Sequence, residues 1–411
     1  MDERGKVTGV SRVTDGVGVV GVVDGTEGGG GAGAAAGARV SPLRRALRNR
    51  TARVSVIAGL VGVLLGAGTV AWRTDTLPLV GGSAPCWDSL GEGTVSALFG
   101  EDAEVRSEEA RLERAQRTSD LSYGECRVSS VRDGAVRLQV RIRVHELDGL
   151  YGMDAHRWPA EFLDADMVPL GEGLPGMANA SRAWLALPES CAGKHRDFTA
   201  ATVVDVAVGR AGIDRSPEGS GWKEDRAALA RATVDAANGA MRALGCTASY
   251  PAAGDLPEVT GWEERPTETL CGIKGFTLPA GFSAQRRELL SRERAGGFGG
   301  PARVCEVGGQ QPNTYLRFTT VVDPGLADVF ARSVMRGGAH VKGLKGYGSV
   351  GETRAAYRAT CATGSVVFLV EQQRAIDDKA FDLTRQLLPG YVAAEAERIG
   401  CGPEKLTVMH A

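Results

Sequence analysis

Metal-assisted hydrolysis, serine acyl transfer and thiol chemistry each need a recognisable set of side chains, and this chain holds fragments of several. His145-Glu146 opens like H-E-x-x-H, in which two imidazoles one helical turn apart hold zinc and the glutamate acts as base, but position 149 is glycine. Ser220 and Lys223 have S-x-x-K spacing with no S-D-N or K-T-G after them. Gly171, Gly173 and Gly176 match G-x-G-x-x-G, yet lie in a loop-like stretch and not between a strand and a helix. Ser349 lacks the glycine that a nucleophile elbow places two residues earlier. The sequence therefore assigns no catalytic residue, no metal site and no cofactor.

The eight cysteines carry more information: Cys86, Cys126, Cys191, Cys246, Cys271, Cys305, Cys361 and Cys401. None has the C-x-x-C spacing of zinc or redox sites. They fall into two sets of four with matching surroundings. The second of each set lies two residues before a valine, in Cys126-Arg127-Val128 and Cys305-Glu306-Val307. The third follows SRAWLALPES or TRAAYRAT, and the fourth closes ALGC or RIGC. This order of features points to an internal duplication.

The elements between the cysteines favour one pairing of the three that four cysteines allow. A strand over 198–208 leads outward from Cys191. A helix near 225–245, with Val234, Ala237, Met241 and Leu244 on one face, returns by a similar distance to Cys246. In the second copy the strand over 365–373 and a helix carrying Leu388, Val392, Ala396 and Ile399 bring Cys361 to Cys401. Pro389 is expected to kink or break that helix. Cys86 then pairs with Cys126, and Cys271 with Cys305. An even cysteine count in disulfides implies an oxidising compartment.

Each module resembles an extracytoplasmic domain common in actinobacterial lipoproteins and membrane proteins. The resemblance rests on a cysteine, a short helix ending in Leu98-Phe99-Gly100, then Cys126-Arg127-Val128 and a strand. It covers about 40 residues at the start of each copy. The second copy lacks the Leu-Phe-Gly phrase, and the chain lacks a lipobox. What the resemblance implies is an α+β module with a curved antiparallel sheet, and no particular activity.

One strand is legible in detail. In residues 136–145, Val136, Leu138, Val140, Ile142 and Val144 alternate with Arg137, Gln139, Arg141, Arg143 and His145. Period-two alternation marks a half-buried antiparallel strand. Its polar row offers Arg137, Arg141, Arg143 and His145 as a candidate surface for an anionic ligand. The comparable row of the second copy is Tyr315, Arg317 and Thr319. The loop from Leu150 to Gly176 carries His156, Trp158, Asp164 and Asp166, and long loops often carry function. The glycine-rich stretch 337–351 reads as a loop or hairpin. With a formal net charge of −2, a nucleic-acid partner is not expected.

The amino-terminal end completes the expected organisation. Residues 1–53 read as a disordered cytoplasmic tail with a basic end. Residues 54–72 are uncharged and, as a helix, would span about 28 Å, close to the hydrocarbon thickness of a bilayer. Arginine-rich flanking sequence before it places the rest of the chain outside the cell membrane. Ala58, Gly62 and Gly66 share one face and would suit a helix–helix dimer. The expected fold is α+β: two tandem related modules, each an antiparallel sheet packed with helices, spanning 84–250 and 266–405. The expected role is non-catalytic binding of a protein, peptide or cell-envelope ligand. The alternatives are an extracytoplasmic hydrolase or wall-processing enzyme and an accessory subunit of a membrane complex. An exposed apolar patch on a sheet would favour the binder. A deep pocket with convergent His, Asp or Ser would favour the enzyme.

Overall fold

The computed structural model describes residues 84–113, 122–147, 162–192, 201–208, 222–279, 287–310, 313–329, 334, 338–376 and 383–409. All lie in one compact unit, Gly82–Ala411. The tail (1–53), the apolar stretch (54–72) with Ala58, Gly62 and Gly66, and His156 and Trp158 fall outside the described residues.

Two antiparallel sheets dominate the described chain. The first contains β1 (Glu104–Glu109), β2 (Ser122–Arg132), β3 (Ala135–Glu146), β4 (Val168–Pro169), β5 (Gly176–Ala178), β6 (Arg182–Ala186) and β7 (Thr202–Val208), in the order β1-β2-β3-β7-β6-β5-β4. The second contains β8 (Glu263–Glu264), β9 (Arg292–Gly296), β10 (Ala302–Gly308), β11 (Thr314–Val321), β12 (Ala339–Lys342), β13 (Gly346–Val350), β14 (Arg354–Cys361), β15 (Gly364–Gln372) and β16 (Thr407–Val408). Its order is β16-β12-β13-β14-β15-β11-β10-β9-β8. Without the two-residue strands at its edges, this is the order of the first sheet. The principal helices are α1 (Glu92–Phe99), α2 (Trp222–Ala243), α3 (Pro324–Val329) and α4 (Leu383–Arg398).

These sheets correct the expected fold class. The chain is mostly antiparallel sheet with 23% helix. Among the described residues no helix is long and apolar enough to cross a membrane, and the expected transmembrane stretch, 54–72, lies outside them. Sheet was under-weighted because several strands are only two to five residues long, too short to show a period. Within the stretch read as a loop or hairpin, β12 and β13 pair as a hairpin. Pro389 lies inside α4 and does not break it.

Packing follows from the two-residue period of the strands. One face of the first sheet sets Val140, Ile142, Val144, Val204 and Val206 against Ala230, Val234, Ala237 and Met241 of α2. One face of the second sets Phe318 and Phe368 against Leu388, Tyr391 and Val392 of α4. The two remaining faces meet each other. Met167, Met177 and Trp184 from the first half share a core with Ala302, Val304, Val367 and Leu369 from the second.

Repeated local devices end each helix and tie each module. Gly245 (φ +75°) ends α2 and turns the Cys246 N–H back to the Met241 carbonyl. Gly400 (φ +75°) ends α4, and the Cys401 N–H returns to Ala396. Glycine takes this left-handed position at little steric cost, which satisfies the last carbonyls of a helix. Four disulfides join Cys86 with Cys126, Cys191 with Cys246, Cys271 with Cys305 and Cys361 with Cys401. No cysteine is free.

Candidate functional site

The basic row of β3 faces its own counter-charges. Arg141 bonds Glu125 of β2 at 2.5 Å, and Arg143 bonds Asp205 of β7 at 2.7 Å. Asp205 is fully buried and also receives Arg182 at 3.1 Å, with His145 Nε2 at 3.8 Å. Burial alone would raise its carboxyl pKa. The charge of Arg182, with His145 and Arg143, holds it well below the usual carboxylate range instead. Arg137, near the strand start, is solvent-exposed and lies 3.7 Å from Asp133. The row is thus interleaved with acids contributed by neighbouring strands. The aliphatic row is buried from Val140 onward, while Val136 stays open to solvent.

The comparable row of the second sheet leads to a buried ionic centre. Arg317 of β11 and Arg294 of β9 flank Glu306 of β10, at 2.6 Å and 2.7 Å. Arg294 also reaches Asp164, at 3.0 Å, from the loop of the first half. Asp166, two residues on, accepts from the Asn179 side chain at 3.1 Å. Burial would raise Glu306, but Arg317 and Arg294 hold it below its usual value. Asp164 is pushed up to about 7 by burial and by the charges of Glu306 and Asp166, against the pull of Arg317 and Arg294.

This shift fixes a pH dependence. A carboxyl whose pKa is raised on folding contributes fully below its unfolded value, near pH 4, and loses that contribution as pH rises through about 7. A shift of that size is worth about 4 kcal/mol at most, and exposure of 26% of the side chain reduces the expectation to about 2 kcal/mol. Asp164→Asn should therefore match the wild type near pH 4 and be the more stable protein at pH 8. Urea unfolding at the two pH values checks this; a difference that does not grow with pH contradicts the assignment.

Cys271, Glu293 and Cys305 lie close enough to suggest three metal ligands, but both sulfurs are joined in a disulfide. Glu293 instead accepts the Cys271 N–H at 2.8 Å, where Cys271 has a left-handed backbone (φ +60°). The first half repeats the arrangement. There Glu109 of β1 accepts the Trp87 N–H at 2.7 Å, beside Cys86 at φ +61°. The glutamates pin the strained cysteine turns. Gly171, Gly173 and Gly176 lie around the turn between β4 and β5.

A site that the sequence reading did not assign lies at the far edge of the second sheet. On β12, Ala339 and Val341 point into the core while His340 and Lys342 are exposed. Lys342 pairs with Tyr347 across the hairpin and with Thr407 of β16, and the Met409 N–H bonds the His340 carbonyl. Tyr347 and Met409 are 44% and 45% exposed, and Leu344 at the tip is 74% exposed. The tip is held from beneath. The Glu404 carboxylate accepts the N–H groups of Leu344 at 2.6 Å and Lys345 at 3.2 Å, and the Tyr357 hydroxyl at 2.7 Å. Lys345 Nζ bonds the Cys401 carbonyl. Glu404 is itself buried, so a large apolar side chain is presented to solvent on a fixed backbone. The only trace of this in the sequence is the alternation Ala339-His340-Val341-Lys342; Glu404 is 60 residues from the N–H it accepts.

Comparison with protein-family models, with curated proteins and with solved structures finds no match to this chain.

Proposed function

We propose that this chain is an extracytoplasmic binding protein that holds an extended, acidic peptide segment of a partner protein without catalysis. The observation that carries the reading is Leu344, exposed on a hairpin tip that Glu404 fixes in place. A side chain already held in its binding position loses little further freedom on association. Tyr347 and Met409 extend the apolar surface, and clustered exposed apolar side chains of this kind mark interaction sites. Lys342 and His340 lie between them and suit acidic groups on the partner. Among the described residues β16 has a neighbour on one side only, so an incoming strand can add to the sheet there. Four disulfides support an oxidising, extracytoplasmic location.

Selection of random linear peptides against the full chain tests the reading. Enriched peptides should combine acidic and large apolar residues. Leu344→Ser should weaken them at least about tenfold, the effect of losing an apolar anchor. Because Leu344 is exposed, its substitution should change folding stability by less than about 0.5 kcal/mol. Peptides that bind Leu344→Ser as well as wild type would overturn the proposal, as would a selection without enrichment.

A further inference from the structure

A cavity of about 510 Å³ lies between α2 and the segment that follows Cys246, a volume suited to a small organic ligand. It exists because that segment is pinned around it while the walls are small. Asn238 clamps both the N–H and the carbonyl of Tyr250, at 2.8 Å and 3.1 Å. The Gly254 N–H bonds the Leu170 carbonyl at 2.9 Å, and Arg226 of α2 donates to the Pro257 carbonyl at 3.0 Å. Ala230, Ala253 and Gly254, among the lining residues, leave the space between unfilled.

The charged lining is unequal. Arg226 and Arg231 face it from α2, against Asp255 from the opposite wall. Arg226 is only 4% exposed; its Nε is closed to solvent and has no hydrogen-bond partner among the described residues. Burial pushes its pKa down despite the pull of Glu258 and Asp166, so the surroundings under-compensate its charge. Two guanidinium groups opposed by one carboxylate favour an oxyanion, and alanine walls favour an apolar body.

We propose that this cavity binds a small organic anion, with its carboxylate or phosphate head toward Arg226 and Arg231 and a short apolar body against the alanine-lined walls. The site is separate from the β12–β13 face, and neither proposal depends on the other.

Calorimetric titration of the full chain with hexanoate, hexyl phosphate and 1-hexanol tests it. At least one of the two anions should bind with a Kd below about 1 mM, and the neutral alcohol at least about tenfold more weakly. Preference between the anions identifies the head group. Substituting the buried Arg226 risks the fold, so the exposed Arg231→Ser and the cavity-filling Ala253→Leu are the informative variants. Each should weaken the preferred anion at least about tenfold without lowering Tm. The proposal is overturned if hexanol binds as well as the anions, if neither anion binds below about 10 mM, or if both variants bind unchanged.

Discussion

Glu306→Ala should destabilise the protein by about 3–5 kcal/mol, the loss expected when one partner of a buried ion pair is removed and its counter-charges remain. The expectation is at the upper end of ordinary substitutions because two guanidinium groups depend on this carboxylate. Arg317 gives it two hydrogen bonds, at 2.9 Å and 2.6 Å, and Arg294 gives a third, at 2.8 Å. Glu306 and Arg317 are 1% and 6% exposed, so water cannot readily replace the missing oxygens. Arg294 keeps Asp164 as a partner, which ionises more readily once the Glu306 charge is gone, so the loss falls mainly on Arg317. Glu306→Gln preserves the shape and one acceptor oxygen, and should lose less than the alanine variant. Denaturant unfolding of the three proteins at pH 7 checks the order. A loss under about 1 kcal/mol for Glu306→Ala would mean that the ionic centre contributes little to joining the two halves.

The second large effect concerns the bridge that closes the module behind the hairpin. Cys361→Ser with Cys401→Ser opens a loop closed over a separation of 40 residues, which in the chain-entropy account corresponds to about 4 kcal/mol. The consequence reaches function through the segment after Cys401. Its carbonyl accepts Lys345 Nζ, and three residues later Glu404 holds the tip. Loss of the bridge should therefore loosen Leu344 as well as destabilise the fold. Calorimetry gives the change in Tm, and hydrogen exchange at the Leu344 and Lys345 amides gives the loosening. Faster exchange there, at a temperature where the variant remains folded, is the expected result. Unchanged exchange would separate the disulfide from the site.

The cysteine surroundings made the repeat legible because each marks a fixed structural event. Glycine before the fourth cysteine ends a helix in both halves, and the second cysteine lies within a strand of each sheet. The out-and-back path of strand and helix accounts for the pairings of Cys191 with Cys246 and Cys361 with Cys401. The β3 alternation was visible because ten residues carry it without interruption. Its electrostatics were not visible, since Glu125 and Asp205 face Arg141 and Arg143 only through sheet pairing. The same holds for Arg294, Asp164 and Glu306, which come from three separate segments. The stretch 337–351 was legible as a loop or hairpin, but its strand bounds were not, because four and five residues are too few to fix a period. The predominance of sheet over helix was missed for that reason too.

The most direct measurement of the central claim places a photocrosslinking residue at Tyr347, and in a parallel protein at the exposed Val136 of the first sheet. Val136 is the control because it is an exposed apolar position on the first sheet, outside the proposed surface. Irradiation with a peptide selected by the wild-type chain should give a covalent adduct from position 347 and none from position 136, and Leu344→Ser should abolish it. Adducts of equal yield from both positions, or an adduct unaffected by Leu344→Ser, would contradict the assignment of this face as the binding site.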